Sequence, residues 1–133
     1  MSAQSIHAFA ITVPDYDDAI AYYCGVLGFE LVEDTPLTPD KRWVLIRPKG
    51  AQGSNILLAR AASAEQSASV GNQTGGRVFV FLNTDDFERD YAAYRAKGVA
   101  FVETPRRETY GVVCKFCDRF GNLWDLLELS QSL

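Results

Sequence analysis

Residues 13–31 read VPDYDDAIAYYCGVLGFEL, and this stretch decides the fold. A proline ends the apolar run before it, and Asp15 is placed to cap a helix. From Tyr16 to Leu27 apolar residues recur at spacings of three and four, which predicts a helix with one apolar stripe. Gly28 follows as a stop signal. We therefore predict an amphipathic helix that leads from one strand into another.

Four apolar segments of strand length surround this helix and complete a βαβββ module at about residues 5–60. They are residues 6–13, 29–33, 42–47 and 55–59. A loop that holds Pro36 and Pro39 separates the second segment from the third. Residues 61–76 are rich in Ala, Ser, Gln and Gly, which predicts a linker with one short helical turn near residues 64–70.

The same order of elements begins again about seventy residues later. Residues 77–83 predict a strand, and Asp85 and Glu88 predict a capping pair for the next helix. Its apolar stripe starts at Phe87, and Gly98 ends it as Gly28 ends the first helix. Three further strands are predicted at residues 99–103, 112–117 and 123–129.

Two copies are an internal duplication and not a solenoid, since two repeats are too few to stack. The predicted fold class is α+β, with one domain over residues 1–133. Its two tandem βαβββ modules, at about 5–60 and 77–130, supply eight strands in curled mixed sheets and two main helices.

Charge and hydropathy exclude several partners. Thirteen basic and seventeen acidic residues give a net charge of −4, and the longest basic run is a pair such as Arg106-Arg107. Nucleic acid is therefore a poor partner, because phosphate binding is largely electrostatic. No stretch approaches the ~18 apolar residues that span a bilayer, and the N-terminal residues do not read as a signal peptide. We expect a cytoplasmic protein that does not bind membranes.

The three cysteines do not predict a disulfide framework, because Cys24, Cys114 and Cys117 are an odd count in a chain without a signal peptide. Cys114 and Cys117 have the spacing of a metal or redox pair. They fall within a predicted strand, where side chains three apart point to opposite faces. No second Cys or His pair completes a zinc site. We interpret them as small apolar core residues.

The opening stretch and the later segment FCDRFGNLWDL, residues 116–126, together resemble a known family. The first is similar to the first-module signature of the vicinal-oxygen-chelate superfamily of glyoxalases, dioxygenases and bleomycin-resistance proteins. The second resembles that superfamily's closing hairpin. The resemblance covers about residues 6–129. It implies paired sheets that enclose a ligand cavity, and a homodimer with two such cavities.

Enzymes of the superfamily hold a divalent metal with four side chains, two from each module. The resemblance carries these positions onto Ala8, Leu57, Phe79 and Asp125. Only Asp125 has a metal-binding group, and one carboxylate holds a hard cation weakly. The implied metal site is therefore lost, and the family's metal-dependent activities with it. His7 is adjacent to Ala8, but it reaches the metal-binding side only through a strand bulge.

If these positions face the cavity, strand alternation places further side chains on the same side. They are Ala10, Thr12, Arg77, Phe81, Asn83, Leu123 and Leu127. Phe79 and Phe81 would stack on a planar ligand, and Asp125 would attract a cation or accept a hydrogen bond. Trp43 and Tyr110 lie beside loops that edge the family's cavity. The predicted ligand-binding set is Thr12, Trp43, Leu57, Arg77, Phe79, Phe81, Asn83, Tyr110 and Asp125.

Several of these residues have a plainer interpretation. Phe79 and Phe81 are equally consistent with an ordinary core. Arg77 and Asp125 would close the cavity if they paired with each other, and such a buried pair is weak support for function. Trp43 would equally pack under the helices, because both faces of its strand are apolar.

Three functions remain open. The leading hypothesis is a metal-independent binder of the bleomycin-resistance type, without a cofactor, which sequesters a planar or cationic small molecule in a homodimer. The alternative is a glyoxalase-like lyase or isomerase, or a dioxygenase-related enzyme. It would use Asp125 as its catalytic acid or base, with or without a divalent metal that His7 helps to hold. The third is an interaction module with a vestigial pocket.

Overall fold

The computed structural model describes residues 2–51 and 53–130. These residues form nine strands in two mixed sheets and three α-helices, which confirms the predicted α+β class. The chain divides into two compact units between Val70 and Gly71, and each unit contains one sheet. No helix in the described parts of the chain is long and apolar enough to cross a membrane.

The first unit has a four-stranded sheet in the order β1-β4-β3-β2. Its elements are β1 Ala8–Val13, α1 Tyr16–Ile20, β2 Glu30–Thr38, β3 Lys41–Arg47, β4 Asn55–Arg60 and α2 Ala64–Ser69. Strands β1 and β4 are parallel, whereas the β4–β3 and β3–β2 pairs are antiparallel. Helix α2 confirms the short helical turn predicted in the linker, and the Ser63 side chain caps it.

The first helix begins as predicted but widens along its length. The Asp15 carboxylate accepts a hydrogen bond from the Asp18 amide at 2.8 Å, which confirms the predicted cap. Residues Ala21–Val26 then form a π-helical segment, in which main-chain hydrogen bonds span five residues. Gly28, with φ of +77°, ends the helix.

Strand β2 runs through a segment predicted as a loop. It continues to Thr38 and includes Pro36, and the register with β3 shifts between these two residues. The strand lies at the edge of the sheet, where a proline without an N–H costs no ladder hydrogen bond. The predicted strand, residues 29–33, is therefore too short, because the two prolines in the sequence favour a loop.

The second unit has a five-stranded sheet in the order β5-β9-β8-β6, with β7 also paired to β8. Its elements are β5 Val78–Asn83, α3 Phe87–Ala96, β6 Ala100–Phe101, β7 Arg106–Glu108, β8 Gly111–Cys117 and β9 Leu123–Leu129. The single strand predicted at residues 99–103 is replaced by β6 and the separate strand β7. The second unit therefore has five strands where four were predicted.

The cap of α3 corrects another prediction. Asp86, and not Asp85, is the N-cap, because its carboxylate accepts a hydrogen bond from the Arg89 amide at 3.1 Å. Asp85 instead forms an ion pair with the Arg89 guanidinium at 2.7 Å. The first helical amide, that of Phe87, donates to Glu128 Oε1 of β9 at 2.7 Å. The helix start is thus tied to the sheet as well as capped locally.

Each sheet buries one face in an apolar core. In the first unit the Arg42 amide donates a hydrogen bond to the hydroxyl of Tyr16 in α1. The Arg42 and Arg60 guanidinium groups lie 5.1 and 5.8 Å from the centroid of the Tyr16 ring. In the second unit Phe116 stacks on Trp124 at 5.7 Å, and Tyr94 of α3 meets Phe116 edge-on at 5.9 Å. These contacts identify the sheet face that each helix covers.

Candidate functional site

A buried turn between β8 and β9 positions strand β9, which carries Asp125. The Asp118 carboxylate accepts hydrogen bonds from the Phe120 and Asn122 amides, from Asn122 Nδ2 and from Trp124 Nε1, all at 2.9–3.0 Å. Asp118 is only 5% exposed. The turn therefore fixes where β9 starts, and with it the register of β8 and β9. In the sequence this aspartate stands out only as part of a family signature, and no local pattern predicts its role in the turn.

The register of the second sheet separates its two faces. Phe116 and Trp124 are cross-strand partners on the face that Tyr94 of α3 covers. Residues of the opposite face, which we call the far face, alternate with them along each strand. The far face carries Phe81, Asn83, Val113, Lys115, Cys117, Leu123, Asp125 and Leu127. Phe79 lies two residues before Phe81, so alternation places it on this face as well, next to a register shift between Val78 and Val80.

Asp125 is the most unusual side chain of the far face. It is 8% exposed, and its Oδ1 atom is buried without a hydrogen-bond partner. Its cross-strand partners are Phe81 on β5 and Lys115 on β8. Burial raises the pKa of Asp125, although the charges of Lys115 and Arg106 oppose this rise. A buried acceptor of this kind is rare in folded proteins and is costly until a donor reaches it.

The alternative pairing of Arg77 with Asp125 is not formed. Among the ion pairs of residues 2–51 and 53–130, none includes either side chain. Arg77 is exposed and lines a small pocket with Phe79, and it is not among the charged groups that act on Asp125. The carboxylate of Asp125 is therefore not neutralised by Arg77.

A cluster of charges borders Asp125 instead, and sequence analysis missed it. Arg106 binds the Glu103 carboxylate at 3.1 Å and that of Glu108 at 2.7 Å. Glu103 Oε2 also accepts a hydrogen bond from the Lys115 amide at 2.9 Å, in the gap between β6 and β7. Burial alone would raise the pKa of Glu103, but the hydrogen bonds from Lys115 and Arg106 lower it. Glu103 therefore stays ionised beside Asp125.

Two other predicted site residues lie near this cluster. Tyr110 is half-buried just before β8, and its side chain hydrogen-bonds Arg106. Asn83 is exposed on the far face, and its Oδ1 accepts a long hydrogen bond of 3.4 Å from the Leu129 amide. Phe81 is 65% exposed, which is unusual for a phenylalanine within a strand. It is therefore not packed in a core, contrary to the plainer interpretation.

The first sheet also has a far face, opposite the one that α1 covers. Arg42, which contacts Tyr16, alternates with Trp43, so Trp43 points away from α1 and does not pack beneath it. The far face of the first sheet carries Ala8, Ala10, Thr12, Trp43, Leu45, Leu57 and Ala59. The same register places Glu33 of β2 opposite Leu45, and the Arg47–Glu30 ion pair, on this face. None of these charged side chains is buried, which contrasts with Asp125 in the second sheet.

The residues present do not fit the divalent metal of the family's enzymes. Ala8 and Leu57 share the far face of the first sheet, and Phe79 and Asp125 share that of the second, so only one of the four positions supplies a donor atom. The described residues contain no group of three or more His, Cys, Asp or Glu side chains suited to a metal ion. His7 is exposed and precedes β1, which pairs with β4 without a bulge.

The three cysteines are free, and the structure separates them. Cys114 is buried on the helix-covered face of β8, and its thiol donates to the Glu103 carbonyl. Cys117 is half-buried on the far face. Burial raises the pKa of both thiols, to about 11 for Cys114, so neither is a ready thiolate.

Comparisons with known proteins agree with this architecture. The family described as Glyoxalase/Bleomycin resistance protein/Dioxygenase superfamily matches residues 5–126. An uncharacterised protein of Shewanella frigidimarina is 52% identical over 129 residues, which are 96% of each chain. The crystal structure of UcmS2 superposes with a TM-score of 0.80 at 25% identity, covering 96% of this chain and 98% of that one. TnmS3, an antibiotic binding protein from Streptomyces sp. CB03234, has a TM-score of 0.77 at 27% identity, with 98% and 99% covered.

Proposed function

The chain belongs to the Glyoxalase/Bleomycin resistance protein/Dioxygenase superfamily, and from that premise we propose that it binds a small organic molecule without a resident metal. The proposed ligand is planar, and it carries a cationic or hydrogen-bond-donating group. The proposed working form is a cytoplasmic homodimer. The likeness to TnmS3, an antibiotic binding protein, supports sequestration of such a compound.

The observation that carries the proposal is the buried Oδ1 atom of Asp125, which has no hydrogen-bond partner. Leaving a buried polar atom unsatisfied costs about 1–3 kcal/mol. Folding alone gives no reason to accept that cost on the far face, where a leucine would pack without it. A ligand that displaces the side chains covering Oδ1 and donates to it recovers the lost hydrogen bond, and a cationic donor makes that bond stronger. The free protein bears the cost of the unsatisfied oxygen, so a ligand with a donor group binds more tightly than one of the same shape without it.

The aromatic neighbours of Asp125 support the planar part of the proposal. Phe81 is its direct partner on β5 and leaves 65% of its surface exposed. Phe79 lies on the same face one pleat away. An aromatic ring beside a hydrogen-bond acceptor is the usual composition of a small-molecule site. Stacking on Phe81 also holds the donor of a planar ligand near Asp125.

The test is calorimetric titration of the EDTA-treated protein with proflavine, a planar cation with two amino groups. Acridine, the same ring system without amino groups, is the matched ligand. We expect proflavine to bind at least tenfold more tightly than acridine, and Asp125→Asn to remove most of that difference. Glu88→Gln removes one exposed carboxylate from α3 and controls for net charge. Equal proflavine binding by Asp125→Asn and by the unchanged protein would contradict the proposal.

Metals and oligomeric state are tested on the same samples. We expect no rise in the unfolding midpoint with Mn²⁺, Ni²⁺, Zn²⁺ or Fe²⁺, because a ligand that binds the folded state raises it. A rise with one metal that Asp125→Ala abolishes would favour a metal-dependent enzyme. Light scattering should give twice the chain mass of 14.7 kDa, and a single chain mass would contradict the proposed homodimer.

The raised pKa of Asp125 favours one second candidate, a glyoxalase-like lyase or isomerase in which this residue is the acid or base. A general acid–base residue works best when its pKa lies near the operating pH, and burial moves Asp125 in that direction. Turnover of an α-hydroxy-thioester or hemithioacetal that is lost in Asp125→Asn would establish this function. Binding without turnover would leave sequestration.

A further inference from the structure

Lys115 is the charged neighbour of Asp125 on strand β8. The two residues are cross-strand partners, and Phe81 is the partner of Asp125 on the other side, in β5. Neighbouring strands lie about 4.8 Å apart, so side chains that face each other across them on one face are in contact range. The far face of the second sheet therefore holds an aromatic, an acidic and a basic side chain in one row.

The ammonium group of Lys115 is not engaged by a carboxylate. Within the described chain, residues 2–51 and 53–130, it takes part in no ion pair. The bond from Lys115 to Glu103 Oε2 comes from its main-chain amide and not from its side chain. Its charge nevertheless lowers the pKa of both Asp125 and Glu103. The ammonium group is thus within electrostatic reach of Asp125 but is not paired with it.

Arg106, the other cation that acts on the buried carboxylate, is already occupied. Its guanidinium binds the carboxylates of Glu103 at 3.1 Å and Glu108 at 2.7 Å, and it also hydrogen-bonds the Tyr110 side chain. Lys115 is only half-buried, and it carries three N–H donors on a flexible stem. Lys115 is therefore the cation of this face that a ligand can engage without breaking an ion pair.

We propose that the planar ligand of this face is an aromatic acid that also carries an amino group, and that Lys115 selects it by binding its carboxylate. The inference rests on the proposed function, in which Phe81 stacks on the ring and Asp125 accepts from the amino group. Lys115 adds a third contact one strand away. The two substituents should then be about one strand spacing apart, which corresponds to meta positions of one ring. Each charged side chain of the row meets a group of matching chemistry.

The experiment is calorimetric titration of the full chain with 4-amino-2-naphthoate and with 1-naphthylamine, which is the same molecule without the carboxylate. We expect the amino acid to bind about fivefold more tightly, because a partly exposed ion pair contributes modestly. Lys115→Gln should remove this preference, and Lys115→Arg, which keeps the charge, should retain most of it. Lys97→Gln removes an exposed charge at the end of α3 and should leave the preference unchanged.

Binding of 1-naphthylamine separates this inference from the proposed function. Lys115→Gln should bind it as tightly as the unchanged protein does, which also shows that the variant is folded, whereas Asp125→Asn should bind it more weakly. Equal binding of the two compounds by the unchanged protein, or a preference that survives in Lys115→Gln, would overturn the role of Lys115 and leave the proposed function standing. Binding of 1-naphthylamine that does not depend on Asp125 would contradict both.

Discussion

The two units are built on one plan but distribute their polar groups differently. In both, an aspartate caps the first helix, and the first and last strands of the module pair in parallel. The far face of the first sheet is centred on Ala10 and Leu57, whereas that of the second is centred on Phe81 and Asp125. A duplicated scaffold thus keeps its packing in both copies, while the buried carboxylates Asp118 and Asp125 both lie in the second.

The turns that close the two modules differ in the same way. In the second unit Asp118 is buried and accepts four hydrogen bonds. In the first unit the exposed Glu30 accepts from the Gly50 amide and from Arg47, both at 3.2 Å or more. Desolvated carboxylates with full partner sets contribute far more than exposed ones. The second unit therefore depends on its polar interior, and the first does not.

The largest expected effect is on stability, at these turns. Asp118→Ala should lower the free energy of unfolding by roughly 3–5 kcal/mol, because Trp124 Nε1 and the Asn122 amide lose their acceptor inside the protein. Glu30→Gln should produce a much smaller change, since water replaces its contacts. Urea unfolding followed by circular dichroism measures both. Similar losses in the two variants would mean that the turns are equivalent after all.

The next effect concerns recognition. Phe81→Ala should weaken proflavine binding about tenfold, which is about 1.4 kcal/mol, through loss of the stacking surface. Its stability should change by no more than about 0.5 kcal/mol, because the ring is largely exposed. Trp43→Ala, on the far face of the first sheet, should weaken binding less. The contrast between the units fails if Trp43→Ala has the larger effect in calorimetric titration.

The pH dependence of stability should separate Asp125 from its neighbour. The folded pKa of Asp125 is raised by burial, so the folded state holds this proton more tightly and loses stability as the pH rises through that pKa. Asp125→Asn should therefore be more stable than the unchanged protein near pH 7, by about 1 kcal/mol, and equal to it near pH 3.

Glu103 provides the control of opposite sign. Its folded pKa is lowered by hydrogen bonds from Lys115 and Arg106 that outweigh its burial, so its contribution is present at neutral pH and is lost in acid. Glu103→Gln should thus be less stable than the unchanged protein near pH 7, and the difference should shrink in acid. Thermal unfolding at several pH values distinguishes the two variants. Parallel profiles would show that Asp125 is not desolvated.

The smallest expected effect compares the helix caps. Asp15→Ala should cost about 1 kcal/mol, as loss of an N-cap generally does. Asp86→Ala should cost less, about 0.5 kcal/mol, because Glu128 independently accepts the Phe87 amide at the start of α3. Urea midpoints of the two variants give the comparison. A larger loss in Asp86→Ala would show that the contact from β9 does not support the helix.

Sequence patterns predict the features that local spacing determines. Apolar periodicity predicts α1 and α3, and alternation predicts Phe81 and Asp125 on one face, where the register pairs them directly. The gap between β6 and β7 is different, because it depends on the Glu103 side chain reaching the Lys115 amide, twelve positions away. Such contacts arise from strand register, which no local window contains.

The candidate site shows the same division. The position of Asp125 on the far face follows from counting along the strands, but the identity of its charged neighbours does not. Arg77 is the basic residue that alternation selects, whereas Lys115 and Arg106 supply the charge that acts on Asp125. The Asn122 Oδ1 atom is also left without a partner by the hydrogen bonds of a turn, which no sequence pattern predicts. Chain spacing predicts positions, and packing decides which of them remain unpartnered.

The exposed edge strand β2 also affects the tendency of this protein to aggregate at high concentration. It is nine residues long and leaves Leu31, Val32 and Leu37 exposed, which is the profile of a strand that recruits copies of itself into aggregates. Pro36 and the acidic pair Glu33-Asp34 interrupt that edge. A missing donor and charged side chains at an edge disfavour extension of the sheet by a second chain. Pro36 thus acts as a gatekeeper against self-association, so a valine in its place should shorten the time that a concentrated solution stays clear.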